Sequence, residues 1–141
     1  MKKLFILLFV ISPLFLSAQE QQRPFRAHLL NKEYDIALKI DFYDESVTIP
    51  GQELYGNLPG YLYKRSNSFC WIITSVEIKG NKARLSLIND YGSEDLTASL
   101  TQIDDSLYIL RQENGSTMKV PQNGKWQKLP KTLEFKPFRK N

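Results

Sequence analysis

Residues 71–88 read WIITSVEIKGNKARLSLI and decide the fold class of the chain. Apolar and polar residues alternate in residues 75–79, after the apolar start WII, and again in residues 84–87, which is typical of β-strands with one buried face. Between them lies Gly80-Asn81, in which glycine supplies the positive φ that a tight two-residue hairpin turn needs. The stretch therefore predicts an antiparallel β-hairpin.

Side chains two residues apart on a strand point to the same face, so the alternation also predicts which residues form the core. In the first strand of the hairpin this face is expected to hold Ile72, Val76 and Ile78. Upstream, residues 36–42 read IALKIDF. Their four large apolar side chains are expected on one face of a strand, opposite Lys39.

The same short strands recur along the rest of the chain. They are predicted at residues 47–49, 61–63, 96–101, 107–111, 118–120 and 133–135. Asn114-Gly115 predicts a type I′ turn into the strand at 118–120, and Asn123-Gly124 predicts another turn. Residues 27–36 fit either a helix or an extended strand.

About eight short strands at spacings of about 8–12 residues predict an all-β domain. Strands that are neighbours in sequence tend to pair, so the consecutive hairpins favour an antiparallel up-and-down meander. We therefore expect a small barrel, lipocalin-like in outline, in preference to a β-sandwich.

Composition agrees with one globular domain. The 141 residues are 42% hydrophobic and 12% aromatic, which is too apolar for a disordered chain. The single cysteine, Cys70, excludes a disulfide scaffold, and within FCWII it is expected to be a small buried hydrophobe. The formal net charge of +4 suggests an acidic partner.

The start of the chain predicts export. A positive Met-Lys-Lys start, an apolar run over residues 4–16 and small residues ending at Ala18 are typical of a secretory signal peptide. The apolar run is shorter than the roughly 20 residues that span a bilayer. The expected organisation is a signal peptide (1–18), a loose leader (19–26) and a single β domain (27–141), with no membrane span after cleavage.

Three stretches carry a resemblance. The end of the predicted signal, residues 16–19 (LSAQ), resembles that of exported Gram-negative proteins. Residues 89–96 (NDYGSEDL) and 128–135 (KLPKTLEF) resemble segments of small secreted β proteins of unknown function from such bacteria. The resemblance implies an exported protein of the periplasm or the cell exterior. It carries over no functional residue, and no lipocalin motif accompanies the expected barrel outline.

Motifs for catalysis or cofactor binding are scarce. His28 is the only histidine, which leaves a Ser/His/Asp triad or a His/Cys zinc site without support. The sequence contains no glycine-rich phosphate-binding motif. We therefore predict no catalytic residue, no metal ligand and no cofactor, and we expect no nucleic acid partner for an exported protein without such a motif.

Carboxylates keep one enzymatic hypothesis open. A glycosidase needs only two suitably spaced carboxyl groups, and Asp90, Glu94 and Asp95 or the acidic residues within 41–45 would supply them. Both segments lie between predicted strands, where acidic residues commonly form turns. The first group also invites a calcium site, because calcium takes several carboxylate and carbonyl oxygens.

The aromatic residues supply the first functional hypothesis. Tyr61, Tyr63, Trp71 and Tyr91 are candidates for lining a barrel mouth or a sugar platform. The alternative is that these rings simply pack on the sheet and in the core. The hypothesis is an exported, soluble, non-enzymatic β domain that binds a small ligand or a component of the cell envelope.

The basic C-terminal strip, residues 119–141, supplies the second functional hypothesis. Its lysines and arginines outnumber its single acidic residue, Glu134, and Lys125, Lys128 and Lys131 are candidates for binding an envelope protein or glycan. The alternative is that lysines protect an edge strand against unwanted pairing. The hypothesis is a protein-interaction or inhibitory module that uses a sheet edge and the basic strip.

Overall fold

The computed structural model describes residues 23–138. The predicted signal peptide, its cleavage site after Ala18 and residues 19–22 of the predicted leader lie outside the described residues, as do residues 139–141 of the basic strip. Among the described residues, no helix is long and apolar enough to cross a membrane.

The regular secondary structure of the described chain is almost entirely β-strand, as predicted. The strands are β1 (Arg26–Asn31), β2 (Ile36–Asp41), β3 (Val47–Thr48), β4 (Asn57–Leu58), β5 (Gly60–Lys64), β6 (Cys70–Lys79), β7 (Lys82–Asn89), β8 (Asp95–Asp104), β9 (Leu107–Gly115), β10 (Lys119–Gln122), β11 (Lys125–Lys128) and β12 (Thr132–Pro137). A short 3-10 turn, Glu53–Tyr55, separates β3 from β4. Residues 27–36, which fitted helix or strand, form β1 and the turn after it.

Eight strands close into an antiparallel barrel, so the predicted barrel is confirmed and a sandwich is excluded. Around the barrel the order is β1, β2, β5, β6, β7, β8, β9 and β12, and β12 pairs back with β1. Each barrel strand lies beside the next one in sequence, which is the predicted up-and-down meander. The hairpins β3–β4 and β10–β11 are insertions between barrel strands.

Two of the predicted turns are confirmed as two-residue connections. Gly80-Asn81 joins β6 to β7. Asn123-Gly124 joins β10 to β11, and both residues have positive φ, as a type I′ turn requires.

The predicted hairpin turn at Asn114-Gly115 is wrong. Strand β9 continues through these residues paired with β8, and the partner of β10 is β11. Glycine is required here for a different reason. Gly115 has a φ of +97°, and a Cβ at this position would lie 2.6 Å from the carbonyl oxygen of Asp95 on the neighbouring strand.

The predicted inner face of β6 is wrong at Ile72. The pairing of β6 with β7 shifts between Ile73 and Ser75, so β6 carries a β-bulge that moves its side-chain alternation by one residue. Trp71 and Ile73 therefore join Val76 in the barrel core, whereas Ile72 packs in a second cluster outside it.

The barrel interior is filled with apolar side chains. Fully buried residues that fill it include Leu29, Ile36, Leu38, Leu62, Trp71, Ile73, Leu85, Leu87 and Phe135. The predicted core face of residues 36–42 is confirmed, since all four of its large apolar side chains belong to this core and Lys39 is exposed. Each such burial contributes about 1.5–3 kcal/mol, so this core is the main source of stability.

The N-terminal segment closes one end of the barrel. Phe25 is fully buried and its ring stacks on Phe42 with centroids 5.6 Å apart. The Tyr108 hydroxyl donates a hydrogen bond to the carbonyl oxygen of Pro24 at 2.6 Å. Residues 23–26, the described part of the predicted leader, are therefore packed against the barrel, because burying Phe25 outweighs the entropy lost in ordering this segment.

The β10–β11 hairpin covers the other end, which we call the hairpin end. Met118, Val120 and Leu129 insert into the barrel core. The buried side chain of Gln112 fixes this insertion from β9: its Oε1 accepts the Met118 N–H at 2.7 Å, and its Nε2 donates to the Pro130 carbonyl at 2.9 Å. Both ends of the filled barrel are thus covered.

The β3–β4 hairpin lies on the outer surface of the barrel. Ile49, beside this hairpin, packs against Cys70 and Ile72 in the second apolar cluster. This cover explains why the outward-facing side chains of this part of β6 are nevertheless buried.

Candidate functional site

The structure separates the four aromatic candidates. Tyr61 and Tyr63 lie half-buried on the outside of β5, with ring centroids 5.2 Å apart. Tyr91 is 75% exposed at the hairpin end. Trp71 is fully buried, and its indole N–H donates to the carbonyl oxygen of Lys119 at 2.8 Å. Its side chain is therefore not available to a ligand at the surface, and the four rings do not line a common mouth.

A different group of rings comes together at the hairpin end. We call Phe69, Tyr91 and Trp126 the aromatic patch. The Phe69 ring packs edge-on against Trp126 at 5.2 Å and lies 6.2 Å from the ring of Tyr91. Phe69 is buried beneath its partners, whereas Trp126 is 55% exposed. The patch therefore presents two rings to solvent on a buried third.

Short hydrogen-bonded loops hold these rings in place. The Asn67 Oδ1 accepts the backbone N–H of Phe69 at 2.9 Å, and its Nδ2 donates to the Pro121 carbonyl on β10 at 3.2 Å. In the loop that carries Tyr91, the Asn89 Oδ1 accepts the N–H of Ser93 at 2.9 Å. Side chains that close their own turns in this way are typical of asparagine, and they give the patch a fixed frame.

The lysine candidates lie on or beside the β10–β11 hairpin. Lys125 and Lys128 are exposed on β11 and Lys131 is exposed just after it. Lys119 on β10 lies directly opposite Lys128. The barrel itself is closed, but β10 and β11 form a separate two-stranded sheet, so both are edge strands and these lysines also fit the protection of an edge. Among residues 23–138, none of these four lysines has a carboxylate within ion-pair distance.

Trp126, Phe69 and Lys119 were not among the residues that the sequence singled out as candidates. The segment 125–128 reads KWQK, and a tryptophan between charged residues also fits an edge strand. Strand β11 is such an edge strand, and the signal for an exposed ring is the Asn123-Gly124 turn, which places Trp126 on a hairpin arm only four residues long. So short an arm cannot bury a large ring by itself.

A second cluster of polar and aromatic groups lies outside β1, β2 and β5. The His28 Nε2 is 2.6 Å from the Tyr63 hydroxyl, and the imidazole stacks on the Phe138 ring at 4.9 Å. The Arg65 guanidinium lies over the same ring at 5.3 Å. Burial lowers the pKa of His28, and the positive charges of Lys39 and Arg65 lower it further.

Acidification is expected to destabilise the protein through His28. Its folded pKa is lowered below the unfolded value of 6.5, so its contribution is fully present above that value and is lost as the pH falls below it. We expect the free energy of unfolding, from urea titrations, to decrease between about pH 7.5 and about pH 5. In the His28→Gln variant this decrease should be smaller. An equal decrease in both proteins would assign the effect to other groups.

The acidic segment at residues 41–45 has a structural role. Burial raises the pKa of Asp41, but hydrogen bonds from the Ser46 hydroxyl and from the N–H groups of Asp44 and Tyr43 outweigh burial and hold the pKa below its usual value. Arg26 adds an ion pair at 3.3 Å. A carboxylate with all these partners closes a turn and is not free to act as an acid or a base.

The acidic segment at residues 90–95 joins two loops. The Gln52 side-chain amide donates to the Asp90 carboxylate, which fixes the β3–β4 insertion to the loop that carries Tyr91. Glu94 is half-buried and uses its N–H to complete the turn at the Asn89 side chain. In the part of the chain that the structure describes, no group of three or more His, Cys, Asp or Glu residues is placed to hold a metal ion.

Cys70 is buried, as the sequence predicts. Burial raises the pKa of its thiol to about 12, with a further contribution from the negative charge of Asp90. The thiol is therefore protonated near neutral pH, and a protonated thiol is a poor nucleophile.

Fold and site together define an up-and-down β-barrel with a packed interior and an aromatic patch at its hairpin end. Comparison of the chain with protein-family models, curated proteins and solved structures finds no match. Because one fold serves many functions, the function has to be inferred from the site itself.

Proposed function

We propose that this protein is a non-enzymatic binding module that recognises a glycan of the cell envelope with its aromatic patch. The observation that carries the proposal is the pair of exposed rings, Tyr91 and Trp126, supported on the buried ring of Phe69. Large exposed aromatic rings in fixed positions are typical of binding surfaces, because they gain apolar contact and lose little side-chain entropy.

The position of the patch favours a ligand bound outside the barrel. Apolar side chains fill the interior, and Phe25 and the β10–β11 hairpin cover its ends. A sugar ring suits such an outer surface, since one of its faces carries C–H groups that pack on an aromatic ring while its hydroxyls remain hydrogen-bonded to water or to polar side chains.

We also propose that the protein is exported to the periplasm or to the exterior of a Gram-negative bacterium. The support is the charged start, the apolar run and the small residues of positions 1–18, together with the resemblance described above. An exported protein meets the glycans of the envelope, which is consistent with the proposed ligand.

Replacing Trp126 by alanine is expected to weaken glycan binding about tenfold, because stacking one sugar face on an exposed ring contributes about 1–2 kcal/mol. Binding is measured by calorimetry on the purified protein with chitotetraose, cellotetraose, tetragalacturonate and muramidase-released peptidoglycan fragments. Intrinsic fluorescence gives a second readout, since the chain has two tryptophans and Trp71 is buried in the core.

Ile103→Ala is the matched control, because Ile103 is also 55% exposed but lies on β8 outside the patch. This variant should bind like the wild type. Absence of saturable binding to all four probes, or equal affinities for the two variants, would contradict a glycan-binding patch.

A further inference from the structure

We propose that the ligand of the aromatic patch is an acidic glycan, and that Lys119 and Lys128 together hold its anionic group. This inference rests on the proposed function and adds the chemical class of the ligand. It comes from the pairing of the β10–β11 hairpin, which sets two lysines opposite each other next to the exposed tryptophan.

The two lysines and the tryptophan share the outer face of the hairpin. Val120 is fully buried in the barrel core, so its neighbours Lys119 and Pro121 lie on the opposite face of β10. Lys128 pairs with Lys119, and Trp126 pairs with Pro121, so these residues lie on the same outer face of β11. The two pairs are about 7 Å apart along the strands, a distance that lysine side chains can bridge.

Opposed lysines are unfavourable unless something neutralises them. Like charges directly opposite on paired strands destabilise the pair. A second opposed pair, Lys79 and Lys82, occurs at the β6–β7 turn, and there the Lys79 ammonium has Glu77 at 3.6 Å. Lys119 and Lys128 have no carboxylate within ion-pair distance in residues 23–138. An anion from outside the chain is the group that would relieve their repulsion.

Together these features match the two halves of an acidic sugar unit. The Trp126 ring offers an apolar surface for the C–H face of the sugar, and the paired ammonium groups offer donors for a carboxylate or phosphate on the same or the next unit. Lys125, exposed at the start of β11, adds to the positive potential around the site. A neutral glycan would leave this charge uncompensated.

The test compares tetragalacturonate with its fully methyl-esterified form, which has the same rings without the charges. We expect the wild-type protein to bind the acid form about ten- to a hundredfold more tightly at low salt, and less so at high salt. In Lys119→Gln/Lys128→Gln this preference should fall to about onefold to threefold. Lys79→Gln/Lys82→Gln removes the same charge from a different turn and should retain the preference.

The outcomes separate this inference from the proposed function. Equal, Trp126-dependent binding of both probes would overturn the acid preference and leave the glycan-binding function in place. Absence of Trp126-dependent binding to either probe would remove both. A hexaglutamate peptide that binds as tightly as tetragalacturonate would show that the site recognises negative charge without regard to the sugar rings. That result would also overturn the inference. Thermal unfolding checks that the lysine variants are folded, and removing the repulsion should leave them at least as stable as the wild type.

Discussion

Trp71→Ala is expected to lower the free energy of unfolding by about 3–5 kcal/mol, a large part of the 5–15 kcal/mol that holds a typical domain folded. Trp71 is among the largest fully buried side chains of the barrel, and alanine would leave a cavity that the closed strands cannot fill. The variant also loses the hydrogen bond from the indole to the carbonyl oxygen of Lys119, which joins the barrel wall to the β10–β11 hairpin.

Urea unfolding followed by circular dichroism measures this loss. The second tryptophan provides the control, because Trp126 is 55% exposed and Trp126→Ala should change stability by less than about 1 kcal/mol. Trp71→Phe keeps most of the ring but leaves the Lys119 carbonyl without its donor, so we expect an intermediate loss of about 1–3 kcal/mol. Equal losses for the two alanine variants would contradict the assignment of Trp71 to the core.

The sequence pattern predicted seven of the eight barrel strands and left only β1 open between helix and strand. It works because each strand of a closed, filled barrel has one face in the core and one outside, so that buried positions recur every second residue. In β2 the rule holds without exception for the large side chains, from Ile36 to Phe42. The up-and-down order followed from the short connections, of which Gly80-Asn81 is the clearest.

Local patterns could not predict contacts that depend on distant parts of the chain. The bulge after Ile73 is invisible in the alternation, and it reverses the expected direction of Ile72. Asn114-Gly115 has the composition of a hairpin turn, yet Gly115 is needed because β8 passes so close to it. Phe25 was assigned to a loose leader because nothing near it in sequence shows that Phe42 is its partner.

The two tryptophans show why the candidate site was only half predicted. Both lie in strand-like segments. The sequence analysis proposed the buried one, Trp71, as a ligand contact, and it placed Trp126 in an edge strand, which β11 is, without proposing a binding role for its ring. The difference between them lies in what covers each ring. Trp71 is covered by the hairpin that carries Trp126, and this hairpin inserts from a position almost fifty residues further along the chain.

The β10–β11 hairpin thus has two roles that depend on each other. Its inner face, with Met118 and Val120, covers the end of the barrel, and its outer face carries Trp126 and the opposed lysines. Packing of the inner face is what fixes the outer face in position. A change that loosens the hairpin should therefore weaken binding even when it touches no residue of the patch.

Gln112→Leu is expected to have this effect. The substitution roughly keeps the side-chain volume but leaves the buried N–H of Met118 and the partly buried carbonyl of Pro130 without their partners. Each orphaned group costs about 1–3 kcal/mol, so we expect a loss of about 2–4 kcal/mol in the free energy of unfolding. We also expect faster amide hydrogen exchange in β10 and β11 than in β6 and β7, and weaker binding of tetragalacturonate.

Gln122→Leu is the matched control, because it replaces the same residue type by the same apolar one on the hairpin itself. The Gln122 Oε1 is buried and has no hydrogen-bond partner among the described residues. Removing an unsatisfied acceptor costs little or is favourable, so this variant should be as stable as the wild type or more so. If Gln122→Leu destabilises the protein as much as Gln112→Leu, the hairpin is not held by the Gln112 side chain, and its two faces are coupled by apolar packing alone.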